Sequence, residues 1–208
     1  MKRKILLVVA LILVTTGCVT SSFNYTPPTI TEVDNQIVIG DPFDEVWDRL
    51  VKNLASDFFV INDIEKNSGI IDVSFSSNTP TEFVSCGVSV RKFTNKWGTQ
   101  VYEYDPASST QYTLGSIFSP VFDVVRNSRL NGRTNIYVAP SNEGGTTVSV
   151  NTKYVVDVTL SYTDVVRRPA GSENFTFDFS TKQPQVTSDG ITCAAKGNLE
   201  DKILDYAR

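Results

Sequence analysis

The stretch "NGRTNIYVAPSNEGGTTVSVNTKYVVDVTLSYTD", residues 131–164, decides the fold class. Val148, Val150, Thr152, Tyr154, Val156, Val158, Leu160 and Tyr162 occupy every second position, and Ser149, Asn151, Lys153, Asp157 and Thr159 fall between them. Successive side chains of a strand point to opposite faces, so this pattern predicts one long strand with a core face and a wet face. Asn142-Glu143-Gly144-Gly145 turns the chain back from a preceding strand near Ile136 and Val138. An antiparallel sheet with one wet face needs cover on the other, and the rest of the chain must supply it.

The clearest helix is "DPFDEVWDRLVKNLAS", residues 41–56. Asp41 stands at the expected N-cap, Pro42 suits the first helical position, and Asp44 and Glu45 place negative charge in the first turn. Phe43, Val46, Trp47, Leu50, Val51 and Leu54 recur at steps of three and four, which puts them on one face. A second helix closes the chain at "NLEDKILDYAR", residues 198–208, with Asn198 as its cap and Leu199, Ile203 and Tyr206 facing the core. Further strands are expected at "QIVIG" (36–40), in a hairpin whose turn is Asn67-Ser68-Gly69, at "CGVSVRKFTNKWG" (86–98) and at "NFTFDFS" (174–180). Residues 102–119 show no firm period and read as a loop or an irregular edge. The expected class is therefore α+β: an antiparallel sheet packed against an N-terminal and a C-terminal helix, forming one domain over residues 36–208.

The chain opens Met1-Lys2-Arg3-Lys4, continues with ten apolar residues from Ile5 to Val14, and reaches Thr15-Thr16-Gly17-Cys18. A basic start, a short apolar run and small residues make residues 1–17 an export signal. Ten residues rise about 15 Å as a helix, roughly half a bilayer's hydrocarbon thickness, which makes a poor permanent span; the alternatives are a short membrane anchor or a buried core helix. The Thr16-Gly17-Cys18 sequence resembles a bacterial lipobox, although Thr15 replaces the usual Leu or Val. That resemblance implies cleavage before Cys18, acyl chains on Cys18 as the first mature residue, and, with Val19 rather than Asp next, sorting to the outer membrane. The alternative is a plain secreted protein that loses Cys18 with its signal. Residues 18–35, rich in Ser, Thr and Pro, read as a lipidated tether.

The whole chain carries a formal charge of −4, and losing Lys2, Arg3 and Lys4 would leave −7. Such a domain is repelled by phosphate backbones and by anionic lipid heads, and no basic stripe with interleaved aromatics argues for nucleic acid. With Cys18 lipidated, Cys86 and Cys193 remain, an even number in an oxidising compartment, expected as a disulfide; two separate buried thiols are the alternative.

Catalytic signatures are missing. The chain has no His, which removes the usual nucleophile–base pairs and the commonest metal ligand. Ser89 and Lys92 form an S-x-x-K in a probable strand, where residues three apart point to opposite faces. Glu103 and Asp105 lack partners for acid–base work and read as solvated, and Gly144-Gly145 lacks the following helix of a phosphate loop. No cofactor and no metal are implied. Tyr102, Tyr104 and Tyr112 are the candidate partner-binding residues, because Tyr offers rigid contact area with a polar tip.

The segments "PFDEVWDRLVKNLASDFFVINDIEKNSGIIDVSF" (42–75) and "CAAKGNLEDKIL" (193–204) resemble the helix-grip modules of BamC-type bacterial lipoproteins. That resemblance implies a helix-grip-like fold and an envelope location, lipid-anchored at the outer membrane and facing the periplasm. The expected function is that of a non-enzymatic accessory that binds other envelope proteins. The alternative is a carrier holding a lipid or other apolar ligand between sheet and helix.

Overall fold

Period-two patterning extends well beyond the residues that announce it. The structure, a computed structural model, describes residues 19–142 and 144–208. In chain order it contains β1 (Thr20–Thr26), β2 (Gln36–Ile39), α1 (Phe43–Ser56), β3 (Val60–Glu65) and β4 (Ile70–Ser77). After a short 3-10 turn come β5 (Val84–Ser85), β6 (Val88–Asn95), β7 (Gly98–Tyr104), β8 (Thr110–Ser116) and β9 (Ser119–Pro140). The chain ends with β10 (Thr146–Asp164), β11 (Pro169–Ser180), β12 (Gln185–Ser188), β13 (Ile191–Ala195) and α2 (Asn198–Ala207).

The spine is the β9–β10 ribbon, antiparallel from Thr146 opposite Pro140 to Asp164 opposite Phe122. Even-numbered residues of both strands face inward, so Val148 meets Val138, Val150 meets Ile136 and Leu160 meets Arg126. The main sheet runs β11-β10-β9-β4-β3, with β2 also on β10 and β8 also on β9. Two smaller sheets, β1-β6-β7 and β12-β13-β5, complete the strands.

The two helices pack on one another at one end of the ribbon. Val46, Trp47, Leu50 and Leu54 of α1 are buried, as are Leu199, Ile203, Leu204 and Ala207 of α2. The last carbonyls of α2 lack partners within the helix, and α1 supplies them: Arg49 Nε donates to Ala207 O at 3.0 Å and Asn53 Nδ2 to Tyr206 O at 3.1 Å. Glu200, in the first turn of α2, is fully buried and accepts hydrogen bonds from the hydroxyls of Tyr154 (2.7 Å) and Thr181 (2.8 Å). Burial of a carboxylate is costly, and here two hydroxyls and the positive end of the helix dipole offset it. Gly132 sits opposite both Phe75 and Tyr154; a Cβ there would lie 2.1 Å from the Phe75 ring, so this strand position needs a residue without a side chain.

The expected α+β class, a helix-grip-like sheet packed against an N-terminal and a C-terminal helix, is not the fold that forms. Strand accounts for 59% of the described residues and helix for 14%, so the molecule is mostly β with several antiparallel sheets. Length supplies the reason: the 14-residue α1 spans about 21 Å, whereas the 22 residues of β9 would reach about 73 Å if straight. Over the rest of the ribbon, β-strands take the place of the expected helical cover. Residues 102–119, expected as a loop or an irregular edge, contain the end of β7, an edge strand of its sheet, and all of β8, which among the described strands pairs only with β9 and breaks register between Leu114 and Ser116. The helix starts also differ, since Pro42 takes the N-cap position of α1 and Gly197, at φ +85°, takes that of α2. Asp41 instead pairs with Arg49 at 2.8 Å, and Asn198 donates to Glu82 O at 2.7 Å.

Candidate functional site

Where the helices stop covering the ribbon, a cavity of about 160 Å³ opens at the junction of all three sheets. Phe23 of β1, Arg91 of β6 and Tyr104 of β7 form one wall, Arg126, Leu160 and Phe177 of the ribbon and β11 form the floor, and Asp189 and Ile191 stand on the rim. Period-two geometry aims these side chains. Ser89, Arg91 and Phe93 share the inner face of β6, and Arg126 lies on the inner face of β9 between Val124 and Ser128.

The three candidate tyrosines come together here. Tyr104 and Tyr112 stack with ring centroids 5.5 Å apart and planes 8° from parallel, and Tyr102 lies 6.4 Å from Tyr112. Tyr104 and Tyr112 are only 9% and 3% exposed, so they serve as wall and support rather than as open contact surface; Tyr102 is half-buried. The Arg91 guanidinium lies between rings, 4.3 Å from the Phe23 centroid and 4.7 Å from that of Tyr112, and its Nε donates to the Tyr104 hydroxyl at 2.7 Å. Arg126 is buried and donates from Nε to the Pro106 carbonyl at 2.8 Å. Burial pushes the Tyr112 hydroxyl up to about 12, with Tyr104 adding to the shift and the two arginines opposing it. Burial also lowers the Arg126 pKa, against the pull of Tyr104 and Tyr112, but a guanidinium starts so high that it stays charged at neutral pH.

Both arginines thus direct these hydrogen bonds to neutral oxygens, while the Asp105 carboxylate acts on Arg126 from nearby and Asp189 lines the same cavity. The arrangement can accept one small acidic or aromatic group. It holds no activated nucleophile: Ser89 is buried, while Lys92 is exposed on the opposite face of β6. Glu103 is exposed, and Asp105 is occupied structurally, accepting from the backbone N–H groups of Cys86 (3.0 Å) and Ala107 (2.7 Å). Gly145, at φ +80°, belongs to the β9–β10 turn. Among the described residues, no group of three or more His, Cys, Asp or Glu side chains is placed to hold a metal. No residue of α1 or α2 lines this cavity, so it does not lie between sheet and helix and gives the lipid-carrier alternative no support.

Cys86 and Cys193 are joined by a disulfide across 107 residues of sequence, tying the end of β5 to β13 beside the cavity. Cys18 lies outside the described residues, and β1 occupies part of the segment expected as a tether, hydrogen-bonded along its length to β6.

Comparison with known families adds one match. Residues 30–113 are similar to the outer membrane protein assembly factor BamC-like C-terminal domain. The BamC-like segment runs from before β2 into β8, so it includes α1, β6 and β7, excludes the ribbon and α2, and spans less than half of the chain. No curated protein and no solved structure matches the chain. Arg91 falls inside the BamC-like segment and Arg126 outside it.

Sequence reasoning does not single out Phe23, Arg91 or Arg126. Arg126 does carry a signal, because it shares the even parity of Leu130, Ile136 and Val138 and therefore points inward. Phe23 carries none, since its place depends on the pairing of β1 with β6.

Proposed function

We propose that this chain is a non-enzymatic, lipid-anchored envelope protein that binds other envelope proteins as an accessory of outer-membrane protein assembly. The observation that carries this reading is the similarity of residues 30–113 to the BamC-like domain of an outer membrane protein assembly factor. The lipobox-like Thr16-Gly17-Cys18 supports an anchor on Cys18, with the domain facing the periplasm. Within the BamC-like segment, β3 is the last strand of the main sheet and presents Val60 (61% exposed) and Ile64 (38% exposed). An open edge strand can pair with an incoming strand through its unpaired backbone groups, while exposed apolar side chains select the partner. We assign the partner contact to this edge.

Photo-crosslinking in living cells tests the reading, with the crosslinking residue placed at Val60 or at Ile64. Discrete adducts with components of outer-membrane protein assembly are expected at both positions. Absence of such adducts from both, in a chain that is exported and folded, overturns the assignment. Cys18→Ala should in parallel release the chain from the membrane fraction; unchanged fractionation removes the anchor from the proposal.

A further inference from the structure

Three turns converge on the end of the molecule away from the helices. Val19 O accepts the backbone N–H of Ile117 at 3.1 Å, so the start of β1 lies against the β8–β9 turn. Thr20 pairs with Thr94, which brings the β6–β7 turn to the same place. Phe122, three residues into β9 from its start, pairs with Asp164, so the β10–β11 turn leaves the sheet at this end too. These three turns carry large apolar side chains that stand exposed among the described residues: Trp97 is 81% exposed, Phe118 93%, Ile117 59%, Val165 74% and Val166 63%. Turn tips ordinarily carry Gly, Asn, Asp, Ser or Pro, for conformational and hydration reasons. Grouped uncovered apolar side chains on three neighbouring turns mark a contact surface.

The charges nearby identify the occupant. Lys96 holds its ammonium 4.5 Å from the Trp97 ring centroid, and Arg167 and Arg168 follow the two valines on the β10–β11 turn. The acids at this end are Asp123 and Asp164, and Asp164 is already paired with Arg168 at 2.9 Å. The domain is acidic as a whole, but at this end the cations stand beside the apolar tips, which suits a phospholipid bilayer, where Trp settles at the interface and basic heads reach the phosphates. Position argues the same way. Consecutive Cα atoms are about 3.8 Å apart, so acyl chains on Cys18 would bring the bilayer to the residue next to Val19, at this end.

We infer that this end is a membrane-docking face: Trp97, Ile117, Phe118, Val165 and Val166 enter the interfacial layer of a phospholipid bilayer, and Lys96 and Arg167 meet its phosphates. The inference rests on the proposed anchor for its geometry, but the contact itself is made by the folded domain. It sets the protein against the membrane with β3 and the cavity reached from the side, in place of a body suspended on a long tether.

The test uses the purified mature chain in vesicles of phosphatidylethanolamine and phosphatidylglycerol, with or without bromine on the acyl chains. Trp47 is buried at 4% exposure, so lipid quenching reports Trp97. Brominated lipid should remove most of the Trp97 emission, and Trp97→Phe should abolish the quenching. Phe118→Asp combined with Ile117→Asp should restore most of the emission without changing the far-UV spectrum. Equal Trp97 emission in the two lipids overturns the inference. The same holds if Phe118→Asp instead removes adducts with assembly proteins while vesicles leave Trp97 untouched, since this end would then be a protein interface. Mass spectrometry of Cys18 separates the two ideas: an unacylated Cys18 defeats the anchor, and quenching of Trp97 in the bound chain still decides the docking face.

Discussion

The two halves of the β9–β10 ribbon share one alternating pattern and meet different fates. In the helix-covered half, Val138, Val148, Val150, Tyr154 and Val156 are all buried, and the buried polar groups are paired: Thr134 with Thr152, Thr146 with Asp41 O, and Glu200 of α2 with Tyr154 and Thr181. In the strand-covered half, the inward positions include Arg126 and Ser128, the packing leaves a cavity, and the turns beyond it carry uncovered apolar side chains. Alternation is identical in kind across both halves, so it cannot distinguish them. What differs is the element laid over each: two short amphipathic helices fill one half closely, and small sheets bridge the other with room to spare.

Damage to the covered half should have the largest effect. Trp47→Ala removes a buried ring that stacks on Phe43 at 5.6 Å, and denaturant unfolding should show a loss of about 3 to 5 kcal/mol. The disulfide tests the boundary between the halves. Replacing Cys86 and Cys193 together by Ser should cost about 2 to 5 kcal/mol, because the closed loop is long, with hydrogen exchange rising first in β5 and β13. Retained protection there would show that the small sheets hold without the crosslink.

Asp72 gives a smaller, pH-dependent effect on the wet face of the covered half. Hydrogen bonds from Arg133, with Nε at 2.9 Å, outweigh burial and hold the Asp72 carboxyl below the ordinary range. A depressed native pKa contributes stability above the unfolded value of about 3.9 and loses it as pH falls through the native one. Asp72→Asn should therefore lower stability at pH 7 by about 1 kcal/mol, an amount kept small because Arg133 is mostly exposed, and should have less effect in acid. An equal loss at both pH values would assign the effect to packing. Phe118→Asp probes the contrast from the other side: at an uncovered tip it should change stability by less than about 0.5 kcal/mol, measured by thermal unfolding, even as it weakens membrane contact.

Part of this architecture is legible in the amino-acid order alone. Spacing marks six apolar positions on α1, and all six lie in or against the core. Alternation likewise separates the wet and core faces of β10. Arg126 is within reach of the same reasoning, by extending the parity of Ile136 and Val138 back along β9. Residues 102–119 resist it, because Tyr102, Tyr104, Leu114 and Phe118 are spread among polar residues with two turns between them, and no window holds a full period. The mostly-β architecture is hidden for a related reason. Helices announce themselves by local spacing, whereas the strands that replace helical cover are short and owe their existence to distant partners.

Local periods of two and 3.6 residues, imposed by side-chain geometry, establish which residues of the ribbon face inward, where the first helix lies and which face of it is apolar. The chain carries that information in any window a few residues wide. Tertiary pairing alone makes β1 a partner of β6, brings Arg91 and Arg126 together, and places residue 19 beside Ile117 and near Trp97 and Phe118. These contacts join residues far apart in the chain, and a period names the face of a strand without naming what will cover it.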